Sequence, residues 1–381
     1  MNTIYFDHAA TTPTDPRVVE AMVPVFQTHF ANASSTHEPG ARSRVLVEDG
    51  RRRLAALLGA QPEEVYFTSG GTESDNWALK GMAAARPRGK DHCLVSAVEH
   101  HAVLHAAERL KRLGVAVELI PVDAVGRVDP WEVAQRIRPT TFLVSVMHAN
   151  NEVGTIQPIA AIGALCRERD IPFHVDAVQT VGHIPIDLAT LPVDLLSLSG
   201  HKFYGPKGVG ALFIRTGLRI QPLMDGGGQE GGRRAGTLNS PGIVGLGAAA
   251  HIAAAELAPA ATRVAVLRDR LLTGLHAAID GVALNGCPAE RLPGNLSVRF
   301  AGIIEPLLQG LLAEAGVACS SGSACTSTIR KPSHVMVAMG LPPEASYASL
   351  RFALGRSTTP EEVDHVVIAT HRAVEHARRA T

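Results

Sequence analysis

The stretch that decides the fold is Ile171–Gly208, I-P-F-H-V-D-A-V-Q-T-V-G-H-I-P-I-D-L-A-T-L-P-V-D-L-L-S-L-S-G-H-K-F-Y-G-P-K-G. Two apolar runs, Ile171–Val175 and Leu195–Leu198, have strand length and turn-like flanks. Each ends in polar chemistry: Asp176 and Gln179 after the first, Ser199, His201 and Lys202 after the second. In open α/β sheets ligands bind beyond the carboxyl ends of the strands. A carboxylate and an amine at two such ends suit pyridoxal 5'-phosphate, whose aldehyde takes a lysine and whose ring nitrogen takes an acid. These residues alone fit an ordinary buried Asp and a surface Lys equally well, so the rest of the chain has to decide.

Working outward, strand and helix signals alternate. Strands are expected at Val65–Thr68, Cys93–Ala97, Val115–Pro121, Thr141–Met147 and Gly210–Ile214, with helices at His101–Leu113, Pro130–Ile137 and Ile159–Arg169 between them. That alternation predicts an α/β fold with a mostly parallel, doubly wound sheet. A helix over Ala41–Leu58 stops at Gly59, a C-terminal cap. Val65–Thr68 runs into S-G-G-T-E-S-D-N, where a glycine turn opens a helix. Such a turn offers backbone N–H groups to phosphate, although a helix simply capped by Thr72 or Ser74 fits as well. A glycine-rich loop, D-G-G-G-Q-E-G-G-R-R-A-G-T-L-N, precedes a long Ala-rich helix, about Pro241–Ile279, expected to break or bend near Pro259.

The character changes after Asp280, where shorter strands and helices suggest a smaller α/β domain. The expected division is a large cofactor-binding domain over 15–255, and a small domain from 1–14 and 256–381 that carries a mobile loop at about 318–333.

Composition sets limits. The 381 residues are 46% hydrophobic and 19% charged, ordinary for a globular protein. Lys plus Arg equals Asp plus Glu at 36 each, so no global field favours nucleic acid or a membrane surface. No signal peptide or membrane-spanning pattern is evident, which makes the cytoplasm the expected compartment. The five cysteines include no CxxC pair, which argues against a disulfide framework or structural zinc. His101 and His105, four apart on a helix, could hold zinc, but no third ligand suggests itself. Of six lysines, only Lys202 and Lys207 lie in the strand-end setting that a Schiff base needs.

Taken together, D-H-A-A-T-T-P, T-S-G-G-T-E-S-D-N, V-E-H-H, M-H-A-N-N-E-V-G, H-V-D-A-V-Q, S-G-H-K-F-Y-G-P-K-G, R-R-A-G-T, S-S-G-S-A-C-T-S and S-L-R-F-A-L-G-R resemble the motifs of PLP-dependent cysteine desulfurases. The closer subgroup is that of the nitrogen-fixation and iron–sulfur housekeeping enzymes, in the class V aminotransferase family. The resemblance covers essentially the whole chain, in the family's order and spacing. It implies fold type I, and the conversion of L-cysteine to L-alanine with a persulfide on Cys325. That sulfur would pass to an acceptor such as an iron–sulfur scaffold or a thiolation protein.

Residue by residue, the resemblance makes Lys202 the Schiff-base lysine, Asp176 the pyridinium partner and Gln179 the contact to the ring's phenolic oxygen. His100 becomes the ring-stacking histidine and proton shuttle. Gly71, Thr72, Ser199 and His201 become the phosphate site, and Thr237 reaches the phosphate of a neighbouring subunit, which implies a homodimer with shared sites. Arg351 would bind the substrate carboxylate, with Asn151 holding substrate and cofactor. Cys325, among small polar residues, is the expected nucleophile. Cys93, Cys166 and Cys287 are expected to pack, and Cys319, six residues before Cys325, either to pack as a small hydrophobe or to resolve the Cys325 persulfide as a disulfide. One departure is A-N-A-S-S at 31–35 where the family has G-N-P-S-S, so Asn32 stays outside the expected site. A selenocysteine-cleaving enzyme and a non-catalytic PLP-binding relative are the rivals.

Overall fold

The structure is a computed structural model and describes residues 3–303, 305–321 and 331–380. It opens with a short strand, β1 (Ile4–Tyr5), then helices α1 (Pro16–Gln27) and α2 (Glu38–Leu58). Asp15 starts α1 by accepting from the Arg17 N–H at 2.8 Å, with Pro16 in the first turn, where it costs no hydrogen bond. Gly59 ends α2 at φ 63°, a left-handed cap that a side chain would strain.

The central sheet is built from β2 (Val65–Thr68), α3 (Gly71–Ala85), β3 (His92–Ser96), α4 (His101–Arg112), β4 (Ala116–Ile120), α5 (Pro130–Arg136), β5 (Thr141–Ser145), α6 (Ile159–Glu168), β6 (Phe173–Asp176), β7 (Leu195–Ser199) and β8 (Gly210–Ile214). Strand order is β2-β8-β7-β6-β5-β3-β4, and only β8 runs against the others. The expected mostly parallel sheet is what forms. Its strands read as nearly unbroken apolar runs because both faces are covered. Leu94, Val144, Phe173, Leu196 and Phe213 pack on the side of α2 and α6, while Cys93, Val95, Leu143, Leu195 and Leu212 pack against α3 and α4. Each fully buried large apolar side chain contributes roughly 1.5–3 kcal/mol by removal from water.

The glycine-rich loop forms a small ribbon, β9 (Gly228–Gln229) with β10 (Arg234–Ala235), before the 39-residue α7 (Ser240–Ala278). The expected break at Pro259 does not occur. That residue lies on an exposed turn, where a lost N–H bond is tolerated and the helix continues. Although α7 is long and apolar enough to cross a membrane, half of its most apolar window is buried within the protein.

Beyond it come β11 (Val282–Leu284), β12 (Asn295–Phe300), α8 (Glu305–Glu314), β13 (Val317–Ala318), α9 (His334–Ala338), α10 (Pro343–Tyr347), β14 (Ser349–Ala353) and α11 (Pro360–Ala380). An antiparallel sheet β11-β12-β14 packs with α7, α8 and α11 around a second core of Leu267, Leu271, Leu296, Phe300, Phe352 and Val366. The N-terminal strand joins this side: β1 pairs in parallel with β13, and Phe6 enters the second core. Helix α7 serves both bodies, with Ile243 and Leu246 in the first core and Val264 to Leu275 in the second.

Candidate active site

Strands β6 and β7 are parallel neighbours, with Asp176 opposite Ser197. Their carboxyl ends therefore deliver Asp176, Ser199, His201 and Lys202 to one place. There a cavity of about 360 Å³ is lined by Gly71, Thr72, His100, Asn151, Gln179 and Arg351 together with those four. The structure thus gathers ten residues of the sequence expectation around one void, counting Asp176 and the phosphate-turn residues. Of the expected residues that the structure describes, only Thr237 stands apart. Thr237 is exposed and does not line the cavity. Cys325 lies outside the described residues.

Lys202 follows β7 in a short turn, and its Nζ donates to the carbonyls of Ala9 (2.6 Å) and Ala10 (2.9 Å). Those carbonyls come from the D-H-A-A-T-T-P segment, which thereby covers the cavity. Burial, then the Arg351 cation, brings the Lys202 amine down to about 8, with Asp176 and Asp7 opposing the fall. A sizeable minority of the amine is neutral at pH 7 and able to take a proton or attack a carbonyl carbon. Gln179 Nε2 donates to Ala9 O at 3.0 Å, so the same segment fixes both side chains.

Three buried carboxylates sit under this cavity. Burial pushes Asp176 up to about 6, against the N–H of Val178 at 2.9 Å and the Lys202 cation, which hold it down. Burial lifts Glu99 to about 8 and raises Asp75 well above the carboxylate range, with the charge of Asp176 adding to both. At neutral pH Asp176 therefore carries the negative charge and Glu99 holds a proton, while burial and the Asp176 charge both favour the neutral form of Asp75. Asp75 Oδ1 has no hydrogen-bond partner among the described residues and is 3.6 Å from His174 Nε2.

His174 bonds Ser145 Oγ at 2.8 Å and Ser197 Oγ at 3.0 Å, and burial lowers it to about 3, so it is a neutral bridge between strands. The sequence reading missed Asp75, Glu99 and Glu152, although all three stand inside quoted motifs. What marks them is burial, which a single sequence does not display.

His100 caps α4: its Nδ1 accepts from the Ala102 N–H at 3.1 Å. Burial, then Lys202, lowers its affinity for a proton. A neutral ring whose Nδ1 accepts keeps its hydrogen on Nε2, so His100 offers one donor and a flat face. His101 stacks with His105 at 5.0 Å, but no group of three metal-binding side chains occurs among the described residues.

Of the two readings of the glycine turn, the helix capped by a side chain does not form. Helix α3 begins at Gly71 with Gly70 as N-cap and no side-chain cap; neither Thr72 nor Ser74 serves. Ser74 Oγ instead bonds Thr68 Oγ1 (2.8 Å) and Ala211 O (3.0 Å), tying the helix to β2 and β8. The uncapped helix end leaves its first N–H groups available to an anion. A Cβ on Gly71 would meet Val178 Cγ2 at 2.5 Å, so the turn can approach the sheet only as glycine.

Arg351 rises from β14. Its Nη1 donates to Asn151 O and its Nη2 to Asp7 Oδ1, both at 2.8 Å, while Nε has no partner among the described residues. Asn151 thus holds the arginine through its backbone. The other cysteines are packing groups: burial pushes Cys93 and Cys166 up to about 12, Cys319 is buried, and Cys287 bonds through its N–H to Thr155 Oγ1.

These residues fit pyridoxal 5'-phosphate. The cavity has an uncapped helix end for the phosphate at Gly71 and Thr72, an amine for the aldehyde at Lys202, a charged carboxylate for the ring nitrogen at Asp176 and a neutral imidazole at its wall. Asp75 Oδ1 and Arg351 Nε, buried and without a partner among the described residues, are polar atoms that a bound polar group could satisfy.

The kinship of the chain agrees with this geometry. The aminotransferase class-V family matches residues 4–366. A cysteine desulfurase IscS of Methanosarcina thermophila is 50% identical over 376 residues, covering 98% of this chain and 93% of that protein. Among solved structures, a NifS-like protein superposes with a TM-score of 0.92 at 40% identity, covering 98% of this chain and all of the other. SspA in complex with cysteine does so at 0.83 and 36%, covering 94% of this chain and all of the other. Likeness that extends over nearly every residue, and not over one motif alone, means that the chain belongs to the aminotransferase class-V family.

Proposed function

We infer that this chain is a PLP-dependent cysteine desulfurase that converts L-cysteine to L-alanine and transfers the sulfur onward. The observation that carries the reading is the convergence of Lys202, Asp176, His100 and Arg351 on one cavity, in a chain half-identical to a protein named as a cysteine desulfurase. Bound at this cavity, the cofactor supplies a ring that accepts electron density from the α-carbon, an effect that the Asp176 charge strengthens.

The protein's own groups do the rest. Arg351 takes the α-carboxylate of cysteine through a guanidinium that Asn151 O and Asp7 hold in place. Lys202 Nζ would hold the cofactor's aldehyde carbon, and its amine, lowered to about 8, is the base placed to take the α-proton of the substrate. The Nε2–H of His100 is a donor at the wall of the cavity, where the flat ring would cover a bound cofactor. Cys325 Sγ attacks the substrate sulfur. One S–S bond forms and one C–S bond breaks, the electron pair stays on carbon, a thiol proton goes to the β-carbon and Lys202 returns its proton to the α-carbon. Carbon is reduced and the transferred sulfur is oxidised, so the products are alanine and a persulfide on Cys325 with no outside oxidant.

The sulfur acceptor in this reading is an iron–sulfur scaffold or a thiolation protein, as the family resemblance implies. The reading also includes a homodimer. Its support is Thr237, exposed in this chain on a loop that two ion pairs hold, Arg51–Glu230 and Arg234–Glu73. The test is direct. Cofactor-loaded protein given L-cysteine and a reductant should release alanine and sulfide in equal amounts. Release of neither, or of pyruvate in place of alanine, would refute it.

A further inference from the structure

Alanine, the product of the reaction proposed above, keeps the amine and the carboxylate of cysteine and loses only sulfur. Arg351 therefore grips product as well as substrate, and release has to be arranged by something else. The structure offers one group for this. Asp7 follows β1 and forms a parallel bridge to Ala353, two residues from Arg351 on β14. Its Oδ1 accepts from Arg351 Nη2 at 2.8 Å. Asp7 does not line the cavity, whereas Arg351 does. The carboxylate thus stands behind the guanidinium and leaves its cavity side open.

The charges facing this corner are few. Asp176 is the anion at the base of the cavity, and Lys202 and Arg351 are the cations. His100 and His201 are held neutral by burial and by Lys202. Glu152, beside Asn151, is buried; its Oε2 accepts from Ser333 Oγ at 2.5 Å. Without Asp7 the corner would carry unbalanced positive charge, which holds a carboxylate more tightly.

We propose that Asp7 is a positioning and charge-balancing residue, which aims Arg351 into the cavity while weakening its hold on an amino-acid carboxylate so that product leaves. The inference rests on Arg351 as the carboxylate site of the proposed enzyme. Asp7→Asn separates the two roles, because the amide oxygen still accepts from Nη2 while the charge is gone. Asp7→Ser serves the same purpose if the amide disturbs folding.

The experiment is calorimetric titration of cofactor-loaded wild type and variant with L-alanine, and with ethylamine, which lacks the carboxylate. Removing one partly solvated charge beside the guanidinium should tighten alanine about tenfold and leave ethylamine unchanged. A merely structural residue could only weaken binding when it is altered. Alanine bound equally or more weakly by Asp7→Asn, or ethylamine tightened alongside it, would overturn the assignment. Cysteine turnover by the wild type, measured separately, tests the enzyme reading without reference to Asp7.

Discussion

The Lys202 amine can be titrated in the protein before any cofactor is added. Its ordinary value is 10.5, and the structure brings it to about 8. The first cause is burial of the amine under Ala9 and Ala10, and the second is the Arg351 cation; Asp176 and Asp7 offset part of the fall. At pH 7 about one amine in ten is then neutral, against roughly one in three thousand for an exposed lysine. The reactive fraction rises about three-hundredfold. The sign for stability follows from proton counts. Between pH 8 and 10.5 the unfolded chain binds one more proton than the folded one, so stability rises with pH across that window. The gain is about 3 kcal/mol if the whole shift is expressed.

Six lysines make the assay tractable, because ε-¹³C-lysine gives few resonances. The resonance lost in Lys202→Met should titrate near 8 in the wild type. Its midpoint should fall in Asp176→Asn and rise in Arg351→Met. If that resonance titrates above 10, or ignores both substitutions, the electrostatic account of the cavity is wrong.

Other tests probe neighbouring parts. Gly71→Ala would drive a methyl into Val178, whose N–H steadies Asp176, so cofactor affinity should fall about tenfold in an absorbance titration; an unchanged affinity would remove the turn from the phosphate site. Glu230 accepts from both Arg51 Nη atoms at 2.8 Å and from the Phe67 N–H at 2.9 Å. Glu230→Gln should therefore cost about 2 kcal/mol, less than a fully broken buried pair because Arg51 keeps Glu48. Thermal melting should show a loss of about 2–3 °C, and no loss would mean that the ribbon is not held there.

The sheet was legible because covering both its faces forces apolar runs, and the polar residues that end those runs then stand out. Asp176, Lys202 and Ser199 could be read from one stretch for that reason. Element ends were read less well where a side chain has an alternative use. Ser74 suggested a cap, yet its hydroxyl is taken by Thr68 and Ala211. Pro259 suggested a break, yet its position on the solvent side of α7 lets the helix pass.

What no local pattern conveys is depth and long-range pairing. Asp75 and Glu99 look like surface acids of a helix and a turn until α3 and α4 bring them beneath Asp176. Asp7 meets Arg351 across 344 positions, because β1 crosses to the second core.

The central claim, that the cofactor held by Lys202 and the thiol of Cys325 act together on cysteine, is tested most directly by the mass of the protein after a single turnover. Wild type mixed with one equivalent of L-cysteine should gain one sulfur atom, mapped by peptide sequencing to Cys325, as one alanine appears. Cys325→Ser should keep the cofactor's visible band and gain no sulfur, and Lys202→Ala should lose the resting band and form no persulfide. Sulfur found on another cysteine, or persulfide formed by Cys325→Ser, would contradict the account.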